Sequence, residues 1–407
     1  MERFNLKKKI CFYTGNRGEF SLIKPLIQKV IEIEEINEQI LVSGSHLEIE
    51  YGETIKEILN SGFKINYKTE PIKRINQINN TSYQIAQSIN QCSEAFKKLC
   101  PDFVVIYGDR FEAFGACIAA SQSGIPVIHI EGGDITEGGC LDDNVRHAMT
   151  KLSHLHCVTN FISYKRVALL GEEKWRIANI GLPCLDNIFA KEYASKKELI
   201  KKFELDLEKP LIIFTQHPVS SEINDLNQHI SNTTKALVDL YQKESVQIIC
   251  TYPNNDEGSE IIIEKLKKIS ENMPGIKLYK SLGGYYYHGL LSLAMENNNC
   301  IISIGNSSSG IKETSSFNCP HINIGNRQSG RLGGKNIINV GYSSKDIYSK
   351  VNFLLKKENR SKYQEGNNPY WNNGAGNCFK NFLKEFINLK KEIILLKKIR
   401  QTTLDIN

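Results

Sequence analysis

Apolar, β-rich runs alternate with helical patterns along most of this 407-residue chain, and this alternation constrains the fold more than any other feature. Strands separated by helix-length segments pair in parallel, and the helices cross over on the two faces of the sheet. We therefore predict an α/β protein with doubly wound parallel sheets. The predicted strands are 10–14, 39–43, 103–107, 126–130, 156–159, 211–215, 247–251, 300–304, 321–324 and 337–340, and the clearest helices are 21–33, 84–99 and 260–269.

The strand–helix pattern restarts in the middle of the chain. A strand ends at Ile180-Gly181-Leu182-Pro183, and after a charged helical stretch Lys209-Pro210 leads into a fresh strand. Two domains are the usual arrangement for a chain of this length. We predict an N-terminal Rossmann-like domain over 1–185 and a C-terminal Rossmann-like domain over 186–367, facing each other across a cleft.

The end of the chain is rich in lysine. Residues 380–400 carry seven Lys or Arg against two Asp or Glu, which accounts for most of the formal net charge of +6. The rest is close to neutral, so the charge argues against a broad nucleic-acid-binding surface. Residues 368–407 are predicted to form a crossover helix, over 377–396, and a basic tail. The apolar side chains of residues 386–407 could pack on a neighbouring subunit, and a frayed tail is the alternative.

Several classes of protein are excluded by composition. No apolar run approaches the roughly 18 residues that a membrane span needs. The charged stretch Met1–Ile10 leads directly into a strand, so no signal peptide is expected. The eleven cysteines are scattered without a Cys-x-x-Cys pair, which favours reduced, buried thiols over a zinc site. We expect a cytoplasmic protein with no metal, membrane or nucleic-acid partner.

Two predicted strands end in acidic residues. Strand 103–107 runs into Gly108-Asp109-Arg110, and strand 126–130 runs into Glu131-Gly132-Gly133. Open α/β sheets bind their ligands at the carboxyl ends of the strands. Two carboxylates at this edge suggest acid/base chemistry on a ligand that also needs a cation.

Two loops that follow strands and precede helices suit a phosphate. Thr14–Ser21 places Arg17 beside a helix start, although an ordinary N-cap turn explains the pattern as well. In Ile304–Glu313, glycines and small hydroxyl residues would let a diphosphate approach a helix N-terminus, with Glu313 accepting from ribose hydroxyls. A capped helix with a flexible loop is the alternative. The chain lacks Gly-x-Gly-x-x-Gly and Gly-Lys-Ser/Thr, which argues against a dinucleotide cofactor or a P-loop.

Two further polar residues follow strands of the second half. His217, in Gln216-His217-Pro218, could hydrogen-bond a phosphate or carry a proton, although an isolated His is usually structural or solvated. Arg327 follows strand 321–324 and would add a cation to the same edge. In the first half, Asp142 and Asp143 begin a helical stretch, where one aspartate could cap the helix and leave the other for chemistry.

Taken together, these motifs resemble the hydrolysing UDP-N-acetylglucosamine 2-epimerases over residues from about 10 to 385. Arg110 after Gly-Asp resembles this branch more than the branch that keeps the nucleotide attached. The motifs that carry the resemblance are Asn16–Ser21, Gly44–Leu47, Gly108–Glu112, His129–Gly133, Asp142–His147, Gln216–Pro218, Pro253-Asn254, Gly305–Gly310 and Gly325–Gln328.

The resemblance implies a GT-B fold and a reaction without cofactor or metal. UDP would leave UDP-N-acetylglucosamine by anti elimination to a 2-acetamidoglycal, and water would then add to give N-acetylmannosamine for nonulosonic (sialic-type) acid biosynthesis. It assigns catalysis to Asp109, Glu131 and Asp142, with Asp143 as the alternative to Asp142. His217 joins them as a catalytic candidate that also contacts the nucleotide. The implied nucleotide contacts are Arg17, Ser21, Arg110, Asn254, Ser307, Ser308, Glu313 and Arg327.

Other functions share part of this pattern. The same chemistry on UDP- or GDP-linked N,N'-diacetylbacillosamine, for legionaminic-type acids, fits the motifs almost equally well. The Asp109/Glu131 pair argues against a GT-B glycosyltransferase, which needs no second carboxylate at C2. The intact set of acids argues against a catalytically silent sugar-nucleotide sensor. We expect the UDP-sugar as the partner and a homo-oligomer, either a dimer or a tetramer.

Overall fold

The computed structural model describes residues 7–48, 54–72, 81–136, 141–254, 256–364 and 366–398, with the backbone alone at Arg17 and Leu141. The chain forms two compact units. Unit 1 comprises Met1–Asp134, Asp142–Asp186 and Tyr370–Asn407, and unit 2 comprises Ile135–Leu141 and Asn187–Pro369.

Unit 1 is built on a parallel sheet that has seven strands in the described part of the chain. The strand order is β3-β2-β1-β4-β5-β6-β7, so the order reverses between β1 and β4. Such a reversal opens a crevice at the carboxyl ends of the two strands, where doubly wound sheets bind ligands. The strands are β1 Lys8–Thr14, β2 Ile36–Val42, β3 Tyr67–Lys68, β4 Phe103–Tyr107, β5 Val127–Ile130, β6 Leu155–Val158 and β7 Ile177–Asn179.

Unit 2 repeats this topology with six described strands, in the order β10-β9-β8-β11-β12-β13. The order reverses between β8 and β11, which pair in parallel. The strands are β8 Leu211–Thr215, β9 Gln247–Thr251, β10 Ile276–Tyr279, β11 Ile301–Gly305, β12 His321–Ile324 and β13 Ile337–Val340. The two sheets confirm the predicted fold class of doubly wound parallel-sheet α/β domains.

Helices connect the strands and cover the sheets. In α1, for example, Ile23, Leu26, Ile27 and Val30 recur at helical spacing and are buried in the unit 1 core. The helices are α1 Arg17–Val30, α2 Ile55–Asn60, α3 Thr81–Leu99, α4 Phe111–Gln122, α5 Leu141–Leu152, α6 Phe161–Leu169, α7 Cys184–Phe189, α8 Lys196–Phe203, α9 Leu226–Glu244, α10 Ser259–Asn272, α11 Gly283–Ser292, α12 Ser308–Lys312, α13 Ser344–Leu355, α14 Lys357–Arg360, α15 Ala375–Phe386 and α16 Lys391–Leu395.

The last two helices complete unit 1. The Asp186 carboxylate accepts from the backbone N–H groups of Ala375 and Gly376, at 2.8 and 2.7 Å, and so caps the start of α15. Phe379 and Leu383 of α15 are fully buried in the unit 1 core. The core of unit 1 therefore includes side chains from α15 as well as from the first 186 residues.

The predicted single helix over 377–396 is broken between α15 and α16. Ile387 and Ile394, on either side of the break, are both buried in the unit 1 core. The buried guanidinium of Arg176 donates to the carbonyl oxygens of Ile393, Ile394 and Leu396, at 3.3, 2.7 and 2.9 Å. In the described part of this segment, Ile387 and Ile394 thus pack on their own chain, whereas Ile393 and Leu396 are exposed.

Two expectations about the chain's class can be compared with the fold. No helix in the described ranges is long and apolar enough to cross a membrane. Those cysteines that the structure describes are free thiols, and burial raises the pKa of Cys92, Cys117 and Cys319 to about 12. These thiols therefore remain protonated at neutral pH.

Candidate active site

The carboxyl ends of β4 and β5 bring together two of the predicted acidic residues. The strands pair in parallel with Tyr107 opposite Ile130, and the backbone N–H of Gly108 donates to the Ile130 carbonyl at 3.1 Å. Asp109 and Glu131 come directly after these positions. The two acidic residues therefore lie at the same edge of the unit 1 sheet, after adjacent strands.

His129 links the loops that carry these carboxylates. Its Nε2 lies 2.7 Å from the Gly108 carbonyl oxygen and donates to it. A Cβ at Gly132 would lie 3.0 Å from His129 Nδ1, a tight contact that glycine avoids where the Glu131 turn passes the ring. Burial lowers the pKa of His129 to about 4. A neutral imidazole therefore fixes the Asp109 loop relative to the Glu131 turn.

Glu131 has an unusual backbone conformation. Its φ is +69°, in the left-handed region, where any residue other than glycine costs roughly 1–2 kcal/mol of conformational free energy. Its backbone N–H donates to the Cys157 carbonyl at 2.9 Å, which holds this conformation, and its side chain is buried. Strain of this kind concentrates at functional sites.

Arg146, on α5, connects the acidic residues of unit 1. Its buried guanidinium donates to the Asp109 carboxylate, to Asp143 Oδ1 at 2.5 Å and to the Asp134 carbonyl at 2.9 Å. This guanidinium therefore ties the loop that carries Asp109 to the start of α5. Asp142, by contrast, is exposed in the first turn of α5.

Behind the Arg110 loop lies a pair of buried glutamates. Glu19 Oε2 accepts from the Gly15 N–H at 2.6 Å, and Glu112 Oε2 lies 3.6 Å from Arg110 Nε. Burial and the nearby Glu112 charge raise the pKa of Glu19 to about 8, so Glu19 is mostly protonated at neutral pH. The ion pair with Glu112 sets the position of Arg110, a predicted nucleotide contact.

The other predicted contacts of unit 1 lie at the start of α1. Asn16 caps the helix by accepting from the Glu19 N–H at 3.0 Å. The Ser21 hydroxyl donates to the Gly18 carbonyl at 2.8 Å, so a ligand would meet the hydroxyl as an acceptor or would displace this bond. The side chain of Arg17 lies outside the described part of the structure.

In unit 2, the predicted residues gather where the strand order reverses. His217 follows β8 and Asn306 follows the neighbouring strand β11, whose last residue, Gly305, pairs with Thr215. Gly305 has a φ of +137°, and a Cβ there would lie 1.8 Å from the Thr215 carbonyl oxygen. Only glycine lets the two strand ends approach this closely.

His217 is a fixed hydrogen-bond donor. Burial and the nearby Arg327 charge lower its pKa to about 3, so the ring is neutral. The backbone N–H of Asn254 donates to His217 Nδ1 at 3.0 Å, which leaves the proton on Nε2. Of the two roles predicted for His217, this ligand-free geometry supports hydrogen bonding to a phosphate. Asn254 contributes its backbone, and its side chain is exposed.

Hydroxyl groups line the start of α12. Ser307 is the N-cap residue, and its Oγ lies 3.0 Å from Ser309 Oγ, which in turn lies 3.1 Å from Tyr287 Oη. Ser308 opens the helix, which is only five residues long. Small hydroxyl side chains therefore surround a helix start that follows β11, as the sequence predicts for a diphosphate site.

Two charged residues flank this loop. Glu313, at the end of α12, accepts from His288 Nε2 at 2.8 Å, which orients its carboxylate. Arg327 donates to the Asn306 carbonyl at 3.1 Å, so it lies beside the loop after β11. No role was predicted for His288, Arg146 or Asn306 from the sequence, although Arg146 and Asn306 lie within motifs that carry the resemblance. The spacing of Asp143 and Arg146, three residues apart on a helix, was the one local signal among these contacts.

Comparison with known proteins identifies the family. The family model described as UDP-N-acetylglucosamine 2-epimerase matches residues 28–384. GDP/UDP-N,N'-diacetylbacillosamine 2-epimerase (hydrolyzing) from Campylobacter jejuni is 36% identical, over 82% of this chain and 84% of that protein. UDP-N-acetylglucosamine 2-epimerase from Neisseria meningitidis serogroup B is 32% identical, over 84% and 86%.

A solved structure shows the same fold. The crystal structure of UDP-GlcNAc 2-epimerase from Neisseria meningitidis bound to UDP-GlcNAc matches with a TM-score of 0.79 and 18% identity, covering 93% of this chain and 99% of that one. This likeness shows that the two chains share a fold. The chain therefore belongs to the hydrolysing UDP-N-acetylglucosamine 2-epimerase family and is an enzyme of the hydrolysing 2-epimerase type.

Proposed function

We propose that this enzyme converts UDP-N-acetylglucosamine and water to N-acetylmannosamine and UDP, in the biosynthesis of nonulosonic acids. The observation that carries the proposal is the pair of carboxylates, Asp109 and Glu131, at the ends of the adjacent strands β4 and β5. A reaction that inverts a carbon must remove a proton from one face and return one to the other. Two separately positioned acidic groups fit that requirement.

The first half of the reaction is an elimination. A carboxylate takes the proton from C2 of the sugar as the bond between C1 and the diphosphate oxygen breaks, and the bonding pair leaves with UDP. The product is a 2-acetamidoglycal. Asp109 suits the role of base because its ion pair with Arg146 holds the carboxylate in place.

The second half is a hydration. Water attacks C1 and gives up a proton, while C2 receives a proton on the face opposite to the one first deprotonated. Glu131, buried and held in a strained turn, is the proposed donor to C2. Asp142 is the proposed carboxylate for the water step, because its side chain is exposed in the first turn of α5.

The donors of unit 2 are proposed to hold the diphosphate. Charge grows on this group as the C1–oxygen bond breaks, and fixed N–H and cationic donors stabilise it without reorganising. His217 offers its Nε2–H, Ser307 and Ser308 offer hydroxyls, and Arg327 offers a guanidinium. Arg17, Ser21 and Arg110 are the proposed nucleotide contacts of unit 1, and Asn254 and Glu313 complete the set in unit 2.

A second substrate is favoured by one specific observation. The Campylobacter jejuni relative that is named for GDP/UDP-N,N'-diacetylbacillosamine is 36% identical, somewhat more than the relative named for UDP-N-acetylglucosamine. The two substrates share the acetamido group at C2 and differ at C4 and C6. The carboxylates and phosphate donors described above would serve both.

Incubation in deuterated water tests the reaction. With UDP-N-acetylglucosamine, we expect free UDP and N-acetylmannosamine that carries one deuterium at C2, as measured by NMR and mass spectrometry. Release of UDP without exchange at C2 would rule out the elimination. A parallel incubation with UDP-N,N'-diacetylbacillosamine compares kcat/KM for the two sugars, and turnover of that substrate alone would select the second candidate.

A further inference from the structure

Asn306 joins three loops at the carboxyl edge of the unit 2 sheet. Its side-chain Oδ1 accepts from the His217 backbone N–H at 2.6 Å, and its Nδ2 donates to the His217 carbonyl at 2.9 Å. Its own N–H donates to the Thr215 carbonyl at 3.1 Å. The residue is fully buried, so water does not compete for these bonds. The amide therefore clamps the backbone of His217 from both sides.

The carbonyl of Asn306 receives two more donors. Arg327 Nη1 donates to it at 3.1 Å and Gln328 Nε2 at 2.8 Å, both from the loop after β12. Gln328 also accepts from Arg331 Nη1 at 2.6 Å through its Oε1, which fixes the orientation of its amide. One buried residue thus holds the loop after β8 by its side chain and the loop after β12 by its backbone.

The Nε2–H of His217 has a defined direction because of these contacts. The Asn254 N–H donates to His217 Nδ1, and the Asn306 side chain fixes the backbone that carries the ring. Without the Asn306 amide, the N–H and C=O of His217 would lose their buried partners, and the loop would have to shift to reach water or new partners. The ring would then lose its alignment with the Arg327 guanidinium.

We infer that Asn306 is a positioning residue that aligns His217 Nε2–H and Arg327 on one diphosphate group before the ligand arrives. The inference deepens the proposed function and rests on it for the identity of the ligand as a nucleoside diphosphate. Preorganised donors bind an anion more tightly than donors that must first be ordered. The side chain of Asn306 acts through His217 and need not touch the ligand.

A double-mutant cycle in the full-length enzyme tests this role. UDP and inorganic pyrophosphate are titrated by calorimetry into the wild type, Asn306→Ala, His217→Gln and the double variant. We expect Asn306→Ala to weaken the binding of both ligands by about tenfold or more. In the His217→Gln background, the same change should weaken binding by less than about twofold. Asn306→Ser, which keeps a small polar group, should give an intermediate loss and serves if the alanine variant does not fold.

Asn336 provides a matched control. It is also fully buried in unit 2, and its Nδ2 donates to Thr314 Oγ1 and to the Cys319 carbonyl, both at 2.8 Å. Asn336→Ala should lower the melting temperature as Asn306→Ala does, while pyrophosphate affinity stays within about twofold of the wild type. A purely structural role for Asn306 predicts the same behaviour at both positions.

The outcomes separate the two proposals. Unchanged pyrophosphate affinity in folded Asn306→Ala, or equal losses with and without the His217 side chain, would overturn the positioning role. If the wild-type enzyme binds UDP and pyrophosphate with the expected coupling but does not turn over either UDP-sugar, the proposed function fails and the positioning role stands.

Discussion

The carboxyl edges of the two sheets have the same topology and opposite chemistry. In unit 1, acidic residues follow β4, which lies beside the reversal, and its neighbour β5, and one buried arginine joins Asp109 to Asp143. In unit 2, the two strands beside the reversal, β8 and β11, are followed by His217 and Asn306, which are neutral, with Arg327 as the nearby cation. One edge is suited to moving protons and the other to holding an anion. Two sheets of one topology can therefore present different chemistry at their carboxyl edges.

The contrast is tested most strongly by removing a carboxylate from unit 1. Asp109→Asn and Glu131→Gln should each lower kcat by about 10² to 10⁴, the range typical of a lost general acid or base. UDP affinity should stay within about twofold, because neither change touches the donors of unit 2. The measurements are steady-state kinetics and calorimetry. A variant with near-normal kcat would remove that residue from the proposed chemistry.

The two aspartates at the start of α5 should separate chemistry from structure. Asp142→Asn should lower kcat by about 10² or more with little change in melting temperature, because the side chain is exposed. Asp143→Asn takes a charged partner from buried Arg146, so it should destabilise the fold by about 1–2 kcal/mol. Kinetics and thermal unfolding of both variants decide the assignment. The reverse pattern would make Asp143 the reacting group.

The anion-holding edge should respond in the opposite way. Arg327→Ala should weaken UDP binding by about tenfold to a hundredfold, the usual effect of losing a charged hydrogen bond. Arg360 is the control, because it is a buried arginine of unit 2 that donates to the carbonyls of Leu354 and Leu355. Arg360→Ala should cost stability and leave UDP affinity unchanged. Equal losses of affinity in both variants would contradict the placement of Arg327.

The smallest effect should be the pH dependence of the acidic edge. Glu19 has a pKa raised to about 8, so the folded state binds a proton that the unfolded chain releases above about pH 4.5. Its contribution to stability is complete below that pH and is lost as the pH rises towards 8. Glu19→Gln removes the titration and keeps an acceptor for the Gly15 N–H. The variant's melting temperature should therefore rise relative to wild type between pH 5 and 9 by roughly a few degrees.

Glu32, just after α1 in the same unit, is a control whose pKa is shifted in the opposite direction. The pKa of Glu32 is lowered to about 2 by hydrogen bonds from Lys29 and Lys380, so this group does not titrate between pH 5 and 9. Glu32→Gln should shift the melting temperature by the same amount across that range. A flat difference for Glu19→Gln as well would mean that Glu19 stays charged in the folded enzyme.

The sequence predicted the fold because the central strands are continuous apolar runs. Phe103–Tyr107 and Leu211–Thr215 were predicted with the bounds that the structure gives them. The strands that were not assigned, β3 and β10, both lie at sheet edges. An edge strand is short and partly exposed, so its sequence lacks the apolar run that marks a central strand.

The sequence could place only those site residues that follow a buried strand. A polar residue directly after a buried strand must lie at the carboxyl edge, which placed Asp109, Glu131 and His217. The partner of each depended on long-range contacts, such as Arg146 with Asp109 and Asn254 with His217. A single sequence carries no local pattern for contacts of that separation. The break between α15 and α16 was likewise set by distant partners, since Arg176 binds the carbonyls that follow it.

The return of the chain to unit 1 has a consequence for its synthesis. The core of unit 1 includes Phe379 and Leu383, which are translated only after the whole of unit 2. Domains generally fold as units while the chain emerges from the ribosome. The sheet of unit 2 can therefore be complete while the face of β1 that awaits α15 is still uncovered. The first unit to be translated would be the second to finish folding, and a stalled or truncated product would expose the apolar face of the unit that carries the carboxylates.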